Sequence, residues 1–251
     1  MSQFLRSSTR LIVRGRISKL IVHRNSRGIE MCGRFSLTAP AKQIESLFKV
    51  VLSQDLEPRY NIAPTQPVMA IRLDKFGNNR ASMLRWGLIP FWAKDESMGN
   101  RCFNARGETA ASKASFREPM QRRRCLIPAS GFFEWSKVGK ARQPTYLHFV
   151  EGLGAFAGVW DLWKGPDGPI VSCSIVTTTP NNLVEPLHDR MPVVVSPHDY
   201  ASWLDPATSS EKIRPLIRPA PEDIFETWAV SQAVNSAANE GPHLIEPAEG
   251  I

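Results

Sequence analysis

The sequence has no run of about 18 uncharged apolar residues, so no segment is long and apolar enough for a membrane-crossing helix. It has no internal repeat at a 20–50-residue period and no alternation of strands with long helices. Solenoids and doubly wound parallel sheets are therefore excluded. The four cysteines (Cys32, Cys102, Cys125, Cys173) show no Cys-x-x-Cys spacing and no local pairing with the five histidines. A zinc site has no basis in that pattern, and no metal or other cofactor is expected. Two disulfides are arithmetically possible, but 251 residues can bury a core without such staples, and no secretory signal is evident. The cysteines read as four free thiols in a reducing compartment. The 20 prolines and 16 glycines are spread along the chain, which fits neither collagen nor a disordered polymer. A soluble globular protein remains.

The net charge of +7 is unevenly placed. Arg6, Arg10, Arg14, Arg16, Lys19, Arg24 and Arg27, against the single acid Glu30, put almost all of it in residues 1–30. The body from Met31 onward is nearly neutral, so an anion site there must come from clustering rather than bulk charge. The arm is rich in Arg and Ser, like a mitochondrial transit peptide, but its apolar triads Leu11-Ile12-Val13 and Leu20-Ile21-Val22 are separated by cations. A start misplaced upstream of Met31, a removable leader and a nucleic-acid-binding arm are the three readings. In each, residues 1–30 stand outside the fold and residues 31–247 form one domain.

In the body, Thr38 followed by Pro40 suggests a helix N-cap, with Ile44, Leu47, Phe48 and Val51 at helical spacing. A proline-rich loop is expected over 59–67. Strand character follows at Val68–Arg72, Ser82–Leu88, Cys125–Ile127, Gly131–Trp135, Thr145–Phe149, Ala155–Trp160, Ser172–Thr178 and Met191–Val195. Asp74–Asn78 and Lys164–Gly168 read as hairpin connections. A second helix begins at Ser196-Pro197 and carries Tyr200, Trp203 and Leu204. Beyond Ser236 the chain turns polar, although Leu244–Pro247 retains enough apolar character to dock. The expected class is α+β: one strand-dominated domain with a closed or barrel-like mixed or antiparallel sheet and peripheral helices.

Five segments could carry chemistry. If Met31 is the true start and is trimmed, Cys32 becomes N-terminal, with a thiol and a free α-amine on adjacent carbons. An α-amine with a pKa near ~8 is partly unprotonated at neutral pH. Such a 1,2-aminothiol condenses with an aldehyde to an imine, and sulfur then closes a five-membered thiazolidine. The plainer alternative is a buried structural thiol. In 103–109, Asn104 offers donor and acceptor and Arg106 a planar fork suited to phosphate, unless the segment is only a solvated turn. Glu134 lies between Phe133 and Trp135 in an apparent strand; if buried against them it would titrate upward and serve as acid and base. Strand alternation could equally put it on the wet face. His188, Asp189 and Arg190 form a cluster before a strand that is either functional or merely surface. Trp86, Phe91 and Trp92 sit among Arg85, Lys94 and Arg101. That pattern suits single-stranded nucleic acid, although at least one of these aromatics is expected in the core.

Together these segments resemble the SOS-response-associated peptidase (SRAP) family of abasic-site processing proteins. The matching stretches are Met31-Cys32-Gly33-Arg34, Asn61-Ile62-Ala63-Pro64, Arg85-Trp86-Gly87-Leu88-Ile89-Pro90, Asn104-Ala105-Arg106 with Glu108-Thr109, Pro128-Ala129 with Gly131-Phe132 and Glu134-Trp135, and His188-Asp189-Arg190-Met191-Pro192. They run in family order over essentially the whole body. The resemblance implies recognition of abasic sites in single-stranded DNA and capture of the ring-opened sugar by the N-terminal cysteine as a thiazolidine crosslink. It also implies an autopeptidase step that exposes this cysteine, with lyase-type chemistry as a possible accompaniment. By position Cys32 is the nucleophile, Asn104 holds the reacting groups, Glu134 moves protons and His188 assists ring opening. Arg106 and Arg190 take flanking phosphates, Arg34 lies near the DNA, and Trp86 offers a stacking face.

The thirty residues before Met31 depart from the family pattern, because with them attached the Cys32 nitrogen is an amide and forms no imine. Three rival functions are a glutaminase of the type that also begins Met-Cys-Gly, a cysteine protease acting on other proteins, and a non-catalytic single-strand-binding module. A cytoplasmic monomer, with no membrane partner, is the expected form; the basic arm leaves organelle targeting open.

Overall fold

In the computed structural model, which describes residues 33–53, 56–138 and 141–248, strand pairing dominates the body. The strands are β1 (Phe35–Leu37), β2 (Arg59–Ile62), β3 (Pro67–Leu73), β4 (Asn79–Trp86), β5 (Asn104–Arg106), β6 (Arg124–Ala129), β7 (Gly131–Val138), β8 (Ala141–Phe149), β9 (Gly154–Gly165), β10 (Gly168–Thr178), β11 (Met191–Pro192) and β12 (Phe225–Ala229). The helices are short: α1 (Ala41–Phe48), α2 (Gly107–Ala110), α3 (Arg117–Arg122), α4 (Tyr200–Leu204) and α5 (Ser210–Ile213), besides several 3-10 turns. Among the described residues no helix is long and apolar enough to cross a membrane.

The expected closure of the sheet is present. Strands pair in the order β10-β4-β3-β6-β9, and β9 returns to pair with β10, which completes a five-stranded barrel. It is mixed, because β4 runs parallel to β10 while its other pairings are antiparallel. Beside it lies an antiparallel sheet in the order β12-β8-β7-β1-β2. Aromatic rings fill the space between. Phe35 meets Trp86 and Phe156 edge-on, and Phe132 meets Phe156 and Phe225 in the same way. On the far face of the open sheet, Phe133 and Tyr146 pack with Val230, Val234 and Leu244. The C-terminal segment does dock: Leu244 is buried, and the Trp228 indole N–H donates to the Ile245 carbonyl at 2.8 Å.

Local expectations fail where a distant partner decides. Helix α1 starts after Pro40, not at Thr38, because the Thr38 and Ala39 amides donate instead to Ser130 Oγ. It ends at Phe48, with Lys49 in a left-handed conformation, so Val51 is 88% exposed. The expected loop over 59–67 begins as β2, whose Ile62 pairs with Phe35. Strand β4 stops at Trp86 because Gly87 adopts φ +132°, and Leu88 is buried without joining the ladder. The expected strand at Met191–Val195 is reduced to Met191–Pro192 plus an isolated bridge from Val194 to Phe156. The second helix opens as a 3-10 turn at Pro197 before becoming α4.

Candidate functional site

Strand β7 alternates its faces, as an extended chain must. Phe132 packs toward the barrel, while Phe133 and Trp135 belong to the cluster under the C-terminal turns. Glu134 therefore falls on the barrel side and is 2% exposed. Of the two faces left open by the sequence it takes the buried one, but not against its flanking aromatics, which occupy the opposite face. Phe35 pairs with Phe132, and the Phe133 amide donates to the Arg34 carbonyl at 3.0 Å. Glu134 follows Phe133 on β7, and Gly33 precedes Arg34 on the facing segment. Cys32 lies outside the described residues, as does the arm before it.

Arg34 points to the other face. Its guanidinium donates to Asn61 Oδ1 at 2.8 Å and to the Val234 and Asn235 carbonyls at 2.6 and 3.0 Å. Asn61, fully buried, donates in turn to the Ser236 and Asn239 carbonyls at 2.9 and 3.0 Å. These bonds tie β1 to the C-terminal turns, with Arg34 half-buried between them. The stacking role expected of Trp86 is corrected. Its ring is wholly buried, edge-on to Phe35 and Phe103, and its Nε1–H donates to the Phe103 carbonyl at 2.8 Å. No face is left for a base; Trp86 instead fixes the start of β5 close to the start of β1.

The segment expected to be a turn is this β5, laid parallel on the end of β10 with Asn104 opposite Ile175 and Arg106 opposite Thr177. Asn104 is 5% exposed, whereas Arg106 is open to solvent. On the other edge of β10, Thr177 and Thr178 pair with β11, which brings in the preceding His188–Arg190 turn. Arg190 donates to both Glu108 oxygens at 2.9 and 2.8 Å and to the Thr177 carbonyl at 2.7 Å. The bonds from Arg190 hold the Glu108 carboxyl below the usual glutamate range. The His188–Arg190 cluster is thus largely buried and built into the barrel rim, with Asp189 its exposed member.

His188 is 6% exposed. Its Nδ1 lies 2.9 Å from the Arg190 amide, 3.2 Å from the Arg190 carbonyl and 3.3 Å from Asp189 Oδ1. Its Nε2 is buried and meets no hydrogen-bond partner among the described residues. Burial lowers the pKa of the ring below the usual histidine value, opposed by the Asp189 charge and the Arg190 backbone and reinforced by the Arg190 and Arg142 charges. Arg142 and Glu108 escaped the sequence reading. Glu108 lay inside a matched stretch without an assigned role, and Arg142 gave no signal because only the β7–β8 hairpin carries it toward His188. The two exposed aromatics of the nucleic-acid pattern are Phe91 (56%) and Trp92 (46%). Among the described residues no cluster of three His, Cys, Asp or Glu side chains could hold a metal ion.

Glu134 and His188 are therefore both buried, and Arg106 and Arg190 stand on the segments that flank the end of β10. Residues 31–237 match the family described as SOS response associated peptidase (SRAP), and the chain belongs to that family. It is 41% identical over 223 residues to the abasic site processing protein YoqW of Bacillus subtilis, covering 86% of this chain and 99% of that one. The abasic site processing protein HMCES of Gallus gallus is 30% identical over 226 residues, which span 76% of this chain and 67% of that protein. A crystal structure of a protein from Bacteroides thetaiotaomicron superposes with a TM-score of 0.78 at 25% identity, covering 86% of this chain and all of that one.

Proposed function

We propose that the protein captures abasic sites in single-stranded DNA as a covalent thiazolidine through Cys32, once hydrolysis of the bond preceding it has released its amine. The observation that carries this reading is buried Glu134 on β7 next to Phe133, whose amide donates to the carbonyl of Arg34, two residues from Cys32. The amine adds to the sugar aldehyde to give a carbinolamine, and Glu134 donates the proton that lets hydroxide leave as water. The thiol then adds across the imine: a C–S bond forms and the thiol proton passes to nitrogen by way of Glu134. An imine left open would permit lyase-type strand cleavage, and closure by sulfur ends that route. His188 assists opening of the closed sugar, and Asn104 orients the reacting groups. Arg106 and Arg190 meet the flanking phosphates, with the Arg142 charge beside them, and Phe91 and Trp92 stack on neighbouring bases. The same buried acid and histidine serve the autopeptidase step.

The test is to mix a chain beginning at Cys32 with single-stranded DNA carrying one abasic site. A heat-stable adduct is expected, with the mass of protein plus DNA less one water, absent with undamaged DNA and absent for Cys32→Ala. A normal adduct yield from Cys32→Ala would overturn the aminothiol chemistry.

A further inference from the structure

Residues 87–93 belong to no strand or helix, yet they are held from one side by the β9–β10 hairpin. Asp161 and Ser172 face each other across that ladder, and Trp163 lies two residues further along on the same face. Ser172 Oγ accepts from the Ile89 amide at 2.8 Å. Asp161 Oδ2 accepts from the Phe91 amide at 3.0 Å. Trp163 Nε1–H donates to the Ala93 carbonyl at 2.8 Å. Three side chains thus take every second residue of the segment. At its start, the Gly87 amide donates to the Cys173 carbonyl at 2.8 Å. A Cβ on Gly87 would come within 2.6 Å of the Gly99 carbonyl oxygen, and its φ of +132° is in any case open only to glycine.

Asp161 is the costly member of this set, since burial disfavours a carboxylate unless charges and donors compensate. It is 2% exposed; Arg123 pairs with it at 3.1 Å and the Leu162 amide donates to it at 2.8 Å. The segment it secures buries Leu88 and Ile89 and leaves Phe91 and Trp92 facing solvent. Two adjacent exposed rings on a backbone anchored at the Phe91 amide and the Ala93 carbonyl form a preorganised surface, for which little ordering is left to lose on binding.

We propose that Asp161, Ser172 and Trp163 are positioning residues that hold Phe91 and Trp92 as a ready-made stacking platform for the bases beside the lesion. The inference rests on the reading of the chain as a single-stranded DNA binder and adds the machinery that shapes its base contacts.

The experiment titrates full-length protein and variants with a single-stranded oligonucleotide bearing a tetrahydrofuran abasic analogue, which cannot crosslink, next to a 2-aminopurine. Asp161→Ala and Ser172→Ala should each weaken binding by about fivefold to tenfold, within the range that one stacked base supplies, and lose the quenching of 2-aminopurine. In a Phe91→Ala/Trp92→Ala background neither change should weaken binding further. Ser172→Ala removes a single hydroxyl and carries the test should Asp161→Ala not fold. The same fold-loss with and without the two rings would overturn the proposal, because it would mean a general effect on the fold. Equal binding by wild type and the ring-less variant would also overturn it while leaving DNA recognition intact. No binding by wild type would sink the underlying DNA reading itself.

Discussion

The Glu108 carboxylate and the Arg190 guanidinium meet as a two-pronged pair at 2.9 and 2.8 Å, joining α2 to the turn before β11 across 82 residues of sequence. The pair fixes the orientation of the Arg190 fork while the carbonyl of Thr177 takes another of its donors. A lysine could replace the charge but not this geometry.

Arg106→Ala and Arg190→Ala should each weaken binding to any single strand, abasic or intact, and each should reduce the slope of log affinity against log salt by about 0.7 per lost phosphate contact. Arg190→Lys should recover part of the charge effect but not the orientation. Titrations at several salt concentrations decide this; unchanged slopes in both alanine variants would place the DNA path elsewhere on the surface.

The two proton carriers should separate by substrate. Glu134→Gln keeps shape but cannot shuttle a proton, and should slow crosslinking strongly at every pH with little loss of DNA affinity. His188→Gln should slow chiefly the opening of the closed sugar, by roughly 10²-fold if it acts as a general acid. A substrate that already presents an open-chain aldehyde should rescue the His188 variant and not the Glu134 variant. Single-turnover rates on both substrates provide the measurement, and equal rescue of the two would refute this division of labour.

Acid should weaken the fold in two windows. His188 is depressed by burial and Glu108 by its bonds from Arg190, so in each case the unfolded chain binds the proton more readily. Their stabilising contributions are complete above the unfolded values, near ~6.5 and ~4.3, and fade as pH falls through the lower folded values. His188→Gln should flatten the upper part of the acid limb and Arg190→Gln the lower part. Urea midpoints measured across pH would show it; a limb unaltered by either change would contradict the assignment.

Trp86 and the Phe91–Trp92 pair should behave oppositely. Trp86→Phe loses the bond to Phe103 and leaves a void, at a cost of about 2 kcal/mol. Phe91→Ala and Trp92→Ala, at exposed positions, should alter stability by no more than ~0.5 kcal/mol while weakening DNA binding. Thermal melts paired with DNA titrations test both; a stable Trp86→Phe that binds DNA poorly would restore a stacking role to Trp86.

The contrast between those aromatics also shows what the sequence could reveal. Trp86, Phe91 and Trp92 share one apolar–cationic pattern, and only burial tells the core ring from the surface rings. Hairpins such as β3–β4 and β9–β10 were legible because their turns, Asp74–Asn78 and Lys164–Gly168, announce themselves locally. β1 and β5 were not, since three residues hold no period and each exists through partners far along the chain. The matched motifs singled out Glu134 and Arg190 but left open whether either is buried, which only the sheet pairings of β7 and β11 decide. They could not reveal that Arg34 turns to the C-terminal carbonyls, because Val234 and Asn235 lie 200 residues away.

Strand β10 pairs with β4, β5, β9 and β11, so every element of the barrel rim is hydrogen-bonded to it or one step removed. A strand so enclosed offers a protease no edge to peel. Its amides should exchange with solvent only when the whole barrel opens, whereas the rim loops exchange through local fluctuation. Under the proposed crosslinking function, this makes clearance of the attached protein a matter of global unfolding. The lifetime of the attachment would then follow the unfolding rate of the barrel as well as the chemistry of the bond.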